Sequence, residues 1–274
     1  NCELKNSEGL LVHVRGLSSD GQISDNIFED FHIGVFGDGN DISGQTYHRL
    51  TIENNTFRNS WGNSPDGQDY FGGVKLQSEG AQAGFPNIPS RGHIVTNNTF
   101  YNTSQMGIEF WGSIVDSVIS SNTIELTQFG ISLANKSKNI TVSNNSVRGC
   151  SLYGIETADS IGTTIIGNVV DGTSGNDVPF VYDGIIVNGI SVTPSLANVI
   201  GNVVKNCRHA CMMNYSADGS NIIGNTFIQS GGNINFYNQA SSHINFSNNV
   251  LTNRTGTYFI MLDADRNNLV NTSG

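Results

Sequence analysis

Residues 118–170 read VISSNTIELTQFGISLANKSKNITVSNNSVRGCSLYGIETADSIGTTIIGNVV, and the hexapeptide apolar-x-x-Asn-x-apolar occurs in them three times, as ISSNTI, VSNNSV and IIGNVV. Outward from this stretch it recurs as ISDNIF, IENNTF and VTNNTF on one side and as VIGNVV, IIGNTF and FSNNVL on the other. The asparagines are Asn26, Asn55, Asn98, Asn122, Asn145, Asn168, Asn202, Asn225 and Asn249, at spacings of 29, 43, 24, 23, 23, 34, 23 and 24 residues. A modal period of 23 to 24 residues is too long for a hairpin and too short for a helical repeat.

A second short strand follows each hexapeptide, usually opened by glycine: Gly107-Ile-Glu-Phe, Gly130-Ile-Ser-Leu, Gly154-Ile-Glu-Thr and Gly184-Ile-Ile-Val. Short strands with Gly and Asn turns between them make one coil of a parallel β-helix, whose neighbouring coils pair about 4.8 Å apart. The expected fold is all-β, a right-handed single-stranded parallel β-helix of about ten coils. Side chains alternate across a strand, so Phe57, Phe100, Ile124, Val147, Val170, Val204 and Phe227 are expected to stack as one interior column. The repeat asparagine is expected at a bend that tolerates left-handed backbone, its amide bonding the equivalents above and below as a ladder. Cys2, in NCELKN, takes the ladder place in the first partial coil. A β-sandwich with Asn-rich turns is the competing architecture.

Composition narrows the function classes. The charge of −10 opposes nucleic acid, which needs a basic footprint, and more weakly a polyanionic substrate. The longest apolar runs, such as YFIML, are far too short to cross a bilayer. Four cysteines are too few for a disulfide scaffold. Cys150 and Cys207 share a column two coils apart, and Cys207-x3-Cys211 lacks a second Cys/His pair for zinc, so buried free thiols are expected and no metal is assigned.

The repeat resembles the parallel β-helix superfold of pectate lyases, polygalacturonases and phage tailspikes over roughly residues 1–262. The polygalacturonase set N-T-D, D-D, G-H-G and R-I-K is absent, Asp183-Gly184-Ile185 matching only a fragment of it, and so is the Y-G-F-D-P-H signature of mannuronan epimerases. The resemblance implies a secreted or virion-surface protein and makes a homotrimer plausible. Residues 1–274 read as a single domain, truncated at both ends because a partial coil stands at each.

Insertions into a solenoid mark its working face. Here they are residues 37–48, 58–72, 77–93 and 171–183, and all flank the glycine-led strand. Two walls four coils, or about 19 Å, apart would bound a groove for an extended chain. With Ile108 and Phe110 inward, Glu109 and Trp111 point out, and the same register exposes Lys75, Gln77, Ser132, Glu156, Ile186, Asn188, Met212 and Asn214.

Glu109 and Glu156, two coils apart, would have Cβ atoms about 9.6 Å apart, within reach of the carboxyl separation of about 6.5–9.5 Å used by inverting glycosidases. Glu109 beside Phe110 and Trp111 is expected to be the protonated acid, and Glu156 among Ser132, Thr157 and Asp159 the wetter, ionised base. Asp69, Asp177 and Asp183 are alternative catalytic carboxylates. Lys75, Trp111, Ser132, Tyr70, Arg91 and Tyr182 are expected to bind substrate, the aromatics by offering faces to sugar C–H groups. Outward glutamates are also common solvated surface.

Three functions compete. The first is a glycoside hydrolase acting on a polysaccharide in this groove without a cofactor. The second is a polysaccharide lyase using Lys75, Tyr70 or Arg91 to remove the proton beside a uronate, with a calcium ion possible. The third is a non-catalytic carbohydrate-binding spike or adhesin. No nucleic-acid or membrane partner is expected.

Overall fold

The structure, a computed structural model, describes residues 2–39, 46–61, 72–78, 88–173, 182–189, 195–229, 234–253, 258–262 and 270–273. Every regular element among them is a strand, and no helix is long and apolar enough to cross a membrane. Neighbouring strands run parallel one coil apart, with Ile108 opposite Ile131, Ile131 opposite Ile155 and Ile155 opposite Ile185. One face is a sheet of ten strands, one per coil, from Gln22–Ser24 to Val270–Ser273. The other two faces join into an 18-stranded sheet. They are linked because Ile27–Gly39 rounds a corner, pairing first with Thr56–Ser60 and then with Gly72–Ser78. The antiparallel sandwich is excluded.

The asparagine ladder explains the hexapeptide. In Asn122 the main-chain N–H and the side-chain amide both donate to Asn145 Oδ1 at 2.9 Å, while the amide also donates to Val95 O at 3.0 Å. The pattern continues through Asn168, Asn202 and Asn225 to Asn249. At the first coil the Cys2 N–H donates to Asn26 Oδ1, so Cys2 holds the ladder place through its main chain. One expectation needs correction. The left-handed residue is not the ladder asparagine but the one before it: Asn54, Asn97, Ser121 and Asn144 have φ of 56°, 56°, 57° and 56°, and Gly167, Gly201 and Gly224 fill the same place. Asn, Asp, Ser and Gly recur there because they tolerate that backbone.

Above the ladder, Phe28, Phe57 and Phe100 stack with ring centroids 4.5 and 4.8 Å apart, continued by Ile124, Val147, Val170, Val204 and Phe227, all buried. The glycine that opens the next strand sits against this column. A Cβ on Gly130 would lie 2.4 Å from Gly154 O and 2.5 Å from Val147 Cγ1, so only glycine lets the two walls approach. Cys150, Cys207 and Cys211 are buried free thiols, and among the described residues no three His, Cys, Asp or Glu side chains converge as ligands for a metal.

Ser90 and His93 form a buried pair with no carboxylate among their hydrogen-bond partners in the described residues. Ser90 Oγ lies 2.8 Å from His93 Nε2 and the Leu50 N–H donates to His93 Nδ1 at 3.3 Å, so the ring is neutral packing rather than a catalytic base. Burial, with a smaller push from His48, lowers its pKa from 6.5 to about 3. The unfolded chain therefore takes up this proton first: the contribution is complete above pH 6.5 and is lost as pH falls towards 3. At about 1.4 kcal/mol per pH unit, the loss is roughly 2–5 kcal/mol over that window. The stability difference between the wild type and His93→Gln, measured by urea unfolding at pH 7 and pH 4, is expected to shift in favour of the variant at pH 4. An unchanged difference would place the proton elsewhere.

Candidate active site

The strands Gly72–Ser78, Met106–Gly112, Phe129–Ala134, Tyr153–Ala158, Asp183–Asn188, Ala210–Tyr215 and Ile234–Gln239, the first five with an opening glycine, stack into one face. Lys75, Glu109, Ser132 and Glu156 stand in one outward row, which continues as Ile186, Met213 and Tyr237. Met213 corrects the expected register by one residue: Met212 and Asn214 are fully buried, while Met213 and Tyr215 face out. This coil has no opening glycine. Cys211 occupies that place, opposite Gly184, and a one-residue slip exchanges the faces.

Two further outward rows flank the central one. Met106, Phe129 and Tyr153 run along one side, and Trp111, Ala134 and Ala158 along the other. Together they enclose a cleft of about 550 Å³ whose floor carries Glu109, Ser132 and Glu156, a size typical of small-molecule sites. The alanines make the room, since a larger residue in either place would fill the space beside Trp111. Phe129 and Tyr153 meet edge to face, 5.7 Å between centroids, and form the opposite wall.

The floor is drier than expected from the sequence. Lys75, Glu109, Ser132 and Glu156 are only 2, 4, 5 and 8 % exposed. Lys75 Nζ contacts Glu109 Oε2 at 2.5 Å and lies 5.2 Å from the Trp111 ring centroid, a cation held between a carboxylate and an aromatic face. Ser132 Oγ donates to Glu156 Oε2 at 3.0 Å.

The two carboxyls therefore differ in kind. Burial raises the Glu109 pKa, and the charge and hydrogen bonding of Lys75 offset only part of that rise. Burial raises that of Glu156 to about 7, against the Ser132 hydrogen bond and with the help of the Glu109 charge. The expected rise of the Glu109 pKa by burial is present, and burial raises Glu156 as well, so the expected contrast of a dry and a wet carboxyl is not found. Glu156 is nearly as dry as Glu109, because Ala158, Tyr153 and Leu152 close around it in the cleft. It is the carboxyl without a cation, and Glu109 the one with it.

A second cleft, of about 400 Å³, follows on the next coils and shares Tyr153 with the first. Tyr182 and Asp183 belong here. Asp183 is no free wall carboxylate: its Oδ1 accepts from Ala210 N at 3.0 Å and lies 2.8 Å from His209 Nδ1. Tyr182 stacks on the His209 ring at 4.7 Å, and Tyr237 meets that ring edge-on at 5.7 Å.

Arg91 is not in either cleft. It lies exposed on Ser90–Arg91, opposite Val115, because the chain has already rejoined the solenoid past the corner that follows the site strand. Asp69, Tyr70 and Asp177 lie outside the described residues, as does half or more of each insertion. The ends of those insertions belong to strands, since Gln77, Asp171 and Asp183 are already paired in register.

Sequence reasoning missed Met106, Phe129, Tyr153, His209, Tyr215 and Tyr237. The signal was there for three of them: Met106, Phe129 and Tyr153 each stand just before an opening glycine, as Asp183 does.

A family model described as "right handed beta helix region" matches residues 1–227. No curated protein sequence matches the chain. Among solved structures it is similar to the enzymatically active domain of tailspike protein 2 of bacteriophage CBA120, at 10% identity and TM-score 0.62, covering 95% of this chain and 43% of that one. It is similar to the periplasmic alginate epimerase AlgG at 13% identity and TM-score 0.63, covering 93% and 66%. It is also similar to an alginate lyase of Paenibacillus sp. FPU-7 at 11% identity and TM-score 0.59, covering 98% and 90%. At these identities the likeness is one of fold. The chain spans less than two thirds of the tailspike and epimerase chains it matches.

Proposed function

We propose that this chain, which belongs to the family of right-handed β-helix proteins, is an extracellular or virion-borne enzyme that cleaves a polysaccharide by glycoside hydrolysis. The observation that carries the reading is the floor of the first cleft. It holds two buried carboxyls two coils apart, one paired with a lysine and the other with only a hydroxyl. The names of the similar structures, a tailspike and two enzymes of alginate, support a polysaccharide as the class of substrate.

The chemistry follows from the pairing. Glu156, whose pKa burial raises to about 7, is protonated in about half the molecules at neutral pH, and in that form donates its proton to the glycosidic oxygen as the bond to the anomeric carbon breaks. Glu109, whose carboxylate form is the one the Lys75 ammonium favours, takes a proton from a water that attacks the same carbon from the opposite face. A Cβ separation of about 9.6 Å leaves room for that water. Trp111 and the Phe129–Tyr153 wall offer aromatic faces to the sugars on either side. Lys75 is the reason elimination is the weaker reading. Its ammonium is committed to Glu109 and Trp111, so it is poorly placed to serve a uronate as base or counter-charge.

Incubation with a panel of capsular and plant polysaccharides is expected to release new reducing ends with no ultraviolet absorbance from an unsaturated uronate. Reducing ends with that absorbance would mean elimination. Binding without either would leave a carbohydrate-binding spike or adhesin.

A further inference from the structure

The face does not end at Glu156. Ile186, Met213 and Tyr237 extend the central row, and Asn188, Tyr215 and Gln239 extend the row that begins at Trp111. From the strand of Met106 to that of Ile234 there are five coil steps, about 24 Å of continuous outward surface.

We infer that the second cleft, built from Tyr182, His209, Tyr215 and Tyr237 beside Asp183, binds further uncharged sugar units of the chain that lies in the first. The inference rests on the reading of the first cleft as the place of cleavage, and it names the substrate: a neutral glycan, bound along the solenoid axis.

Three observations carry it. Continuity is the first, because Tyr153 lines both clefts and the strands that floor them are paired coil to coil. The second is the mixture of surfaces. Aromatic rings stand beside the amides of Asn188 and Gln239, the pairing of flat apolar area with hydrogen-bonding groups that suits a sugar ring and its hydroxyls. Asp183 holds His209 at Nδ1, which leaves the ring, 25 % exposed, its Nε2 to meet a hydroxyl.

Charge is the third observation. Among the described residues, those lining the two clefts include Glu109, Glu156, Asp159 and Asp183 but no Lys or Arg. Lys75 lies on Glu109, Arg58 contacts Glu29 at 2.9 Å, and Arg91 is on another strand. The whole chain carries −10. A polymer with a carboxylate or sulfate on each unit would find no cation among the described residues that line the clefts, and two carboxylates, Asp159 and Asp183, beside the catalytic pair.

The test uses the full chain and an array of neutral bacterial and plant polysaccharides beside alginate and polygalacturonate. The expected result is capture and cleavage of a neutral polymer and none of the two polyanions. Oligosaccharides of the captured polymer then separate the clefts. Tyr182→Ala and Tyr215→Ala, both at the protein surface and checked for an unchanged melting temperature, are expected to raise KM for long oligomers about tenfold, the usual value of an aromatic contact. Cleavage of the shortest substrate should be unaltered.

Cleavage of a polyanion, or of a neutral polymer with a KM indifferent to both tyrosines, overturns the inference and leaves the hydrolase reading standing. Tyrosine-dependent binding of a neutral polymer without cleavage supports the second cleft and removes the hydrolase reading instead.

Discussion

Asn122→Leu is expected to destabilise the protein by roughly 3–6 kcal/mol, the cost of leaving several buried polar groups without partners. Asn122 Oδ1 accepts from the main chain and from the amide of Asn98, both at 3.0 Å, and its own amide donates to Asn145 Oδ1 and Val95 O. Leucine can make none of these bonds. The residue is 1 % exposed, so no water replaces them. Asn122→Asp separates the two halves of the effect, keeping the acceptor for Asn98 while losing the donor to Val95. Both variants would be compared by urea unfolding with Ser121→Gly, which alters only the left-handed residue beside the ladder (φ 57°) and should be close to neutral. A loss for Asn122→Leu no larger than for Ser121→Gly would mean that the ladder is decoration and that the apolar column alone fixes the coil.

That ladder is why the fold was legible from residues alone. An interior asparagine has one geometry in which all its groups are met, so it recurs at one place in every coil and reports the period directly. The register of the second strand was legible wherever an opening glycine anchored it, at Gly107, Gly130, Gly154 and Gly184. It failed at Met212, where Cys211 stands instead and nothing local marks which way the strand faces. The floor row Lys75, Glu109, Ser132 and Glu156 followed from alternation. Its dryness did not, because it comes from Phe129, Tyr153 and Trp111 on neighbouring rows, which meet the floor only once coils are stacked. The pairing of Asp183 with His209 joins residues 26 apart across a coil and has no trace in either local sequence. Arg91 was misplaced because the length of an insertion does not tell where the chain rejoins the solenoid.

Glu156→Gln is expected to lower turnover about 10²–10⁴-fold, the usual share of general acid catalysis, while making the protein more stable in alkaline solution. The two effects have one cause. The folded pKa of about 7 lies above the ordinary 4.5, so the folded state holds this proton more tightly than the unfolded one. The stability linked to it is complete below pH 4.5 and is lost as pH rises through 7. At about 1.4 kcal/mol per unit, the wild type loses roughly 3 kcal/mol across that window, and glutamine, which has no proton to lose, does not. The melting temperature of the variant should therefore exceed that of the wild type at pH 8 by several degrees more than at pH 4.5.

Glu109→Gln should cut turnover as deeply with the opposite effect on stability, since it leaves the buried Lys75 ammonium without its carboxylate. The wild-type rate should fall as pH rises through 7, where the acid loses its proton. A glutamate kept only for structure would not be expected to cost stability at neutral pH, so the combination of a gain in stability with a loss of rate is the signature of a working acid. Full activity in Glu156→Gln would remove it from the mechanism. Full activity in both variants would shift the search to Asp183 and to the carboxylates of the insertions, Asp69 and Asp177.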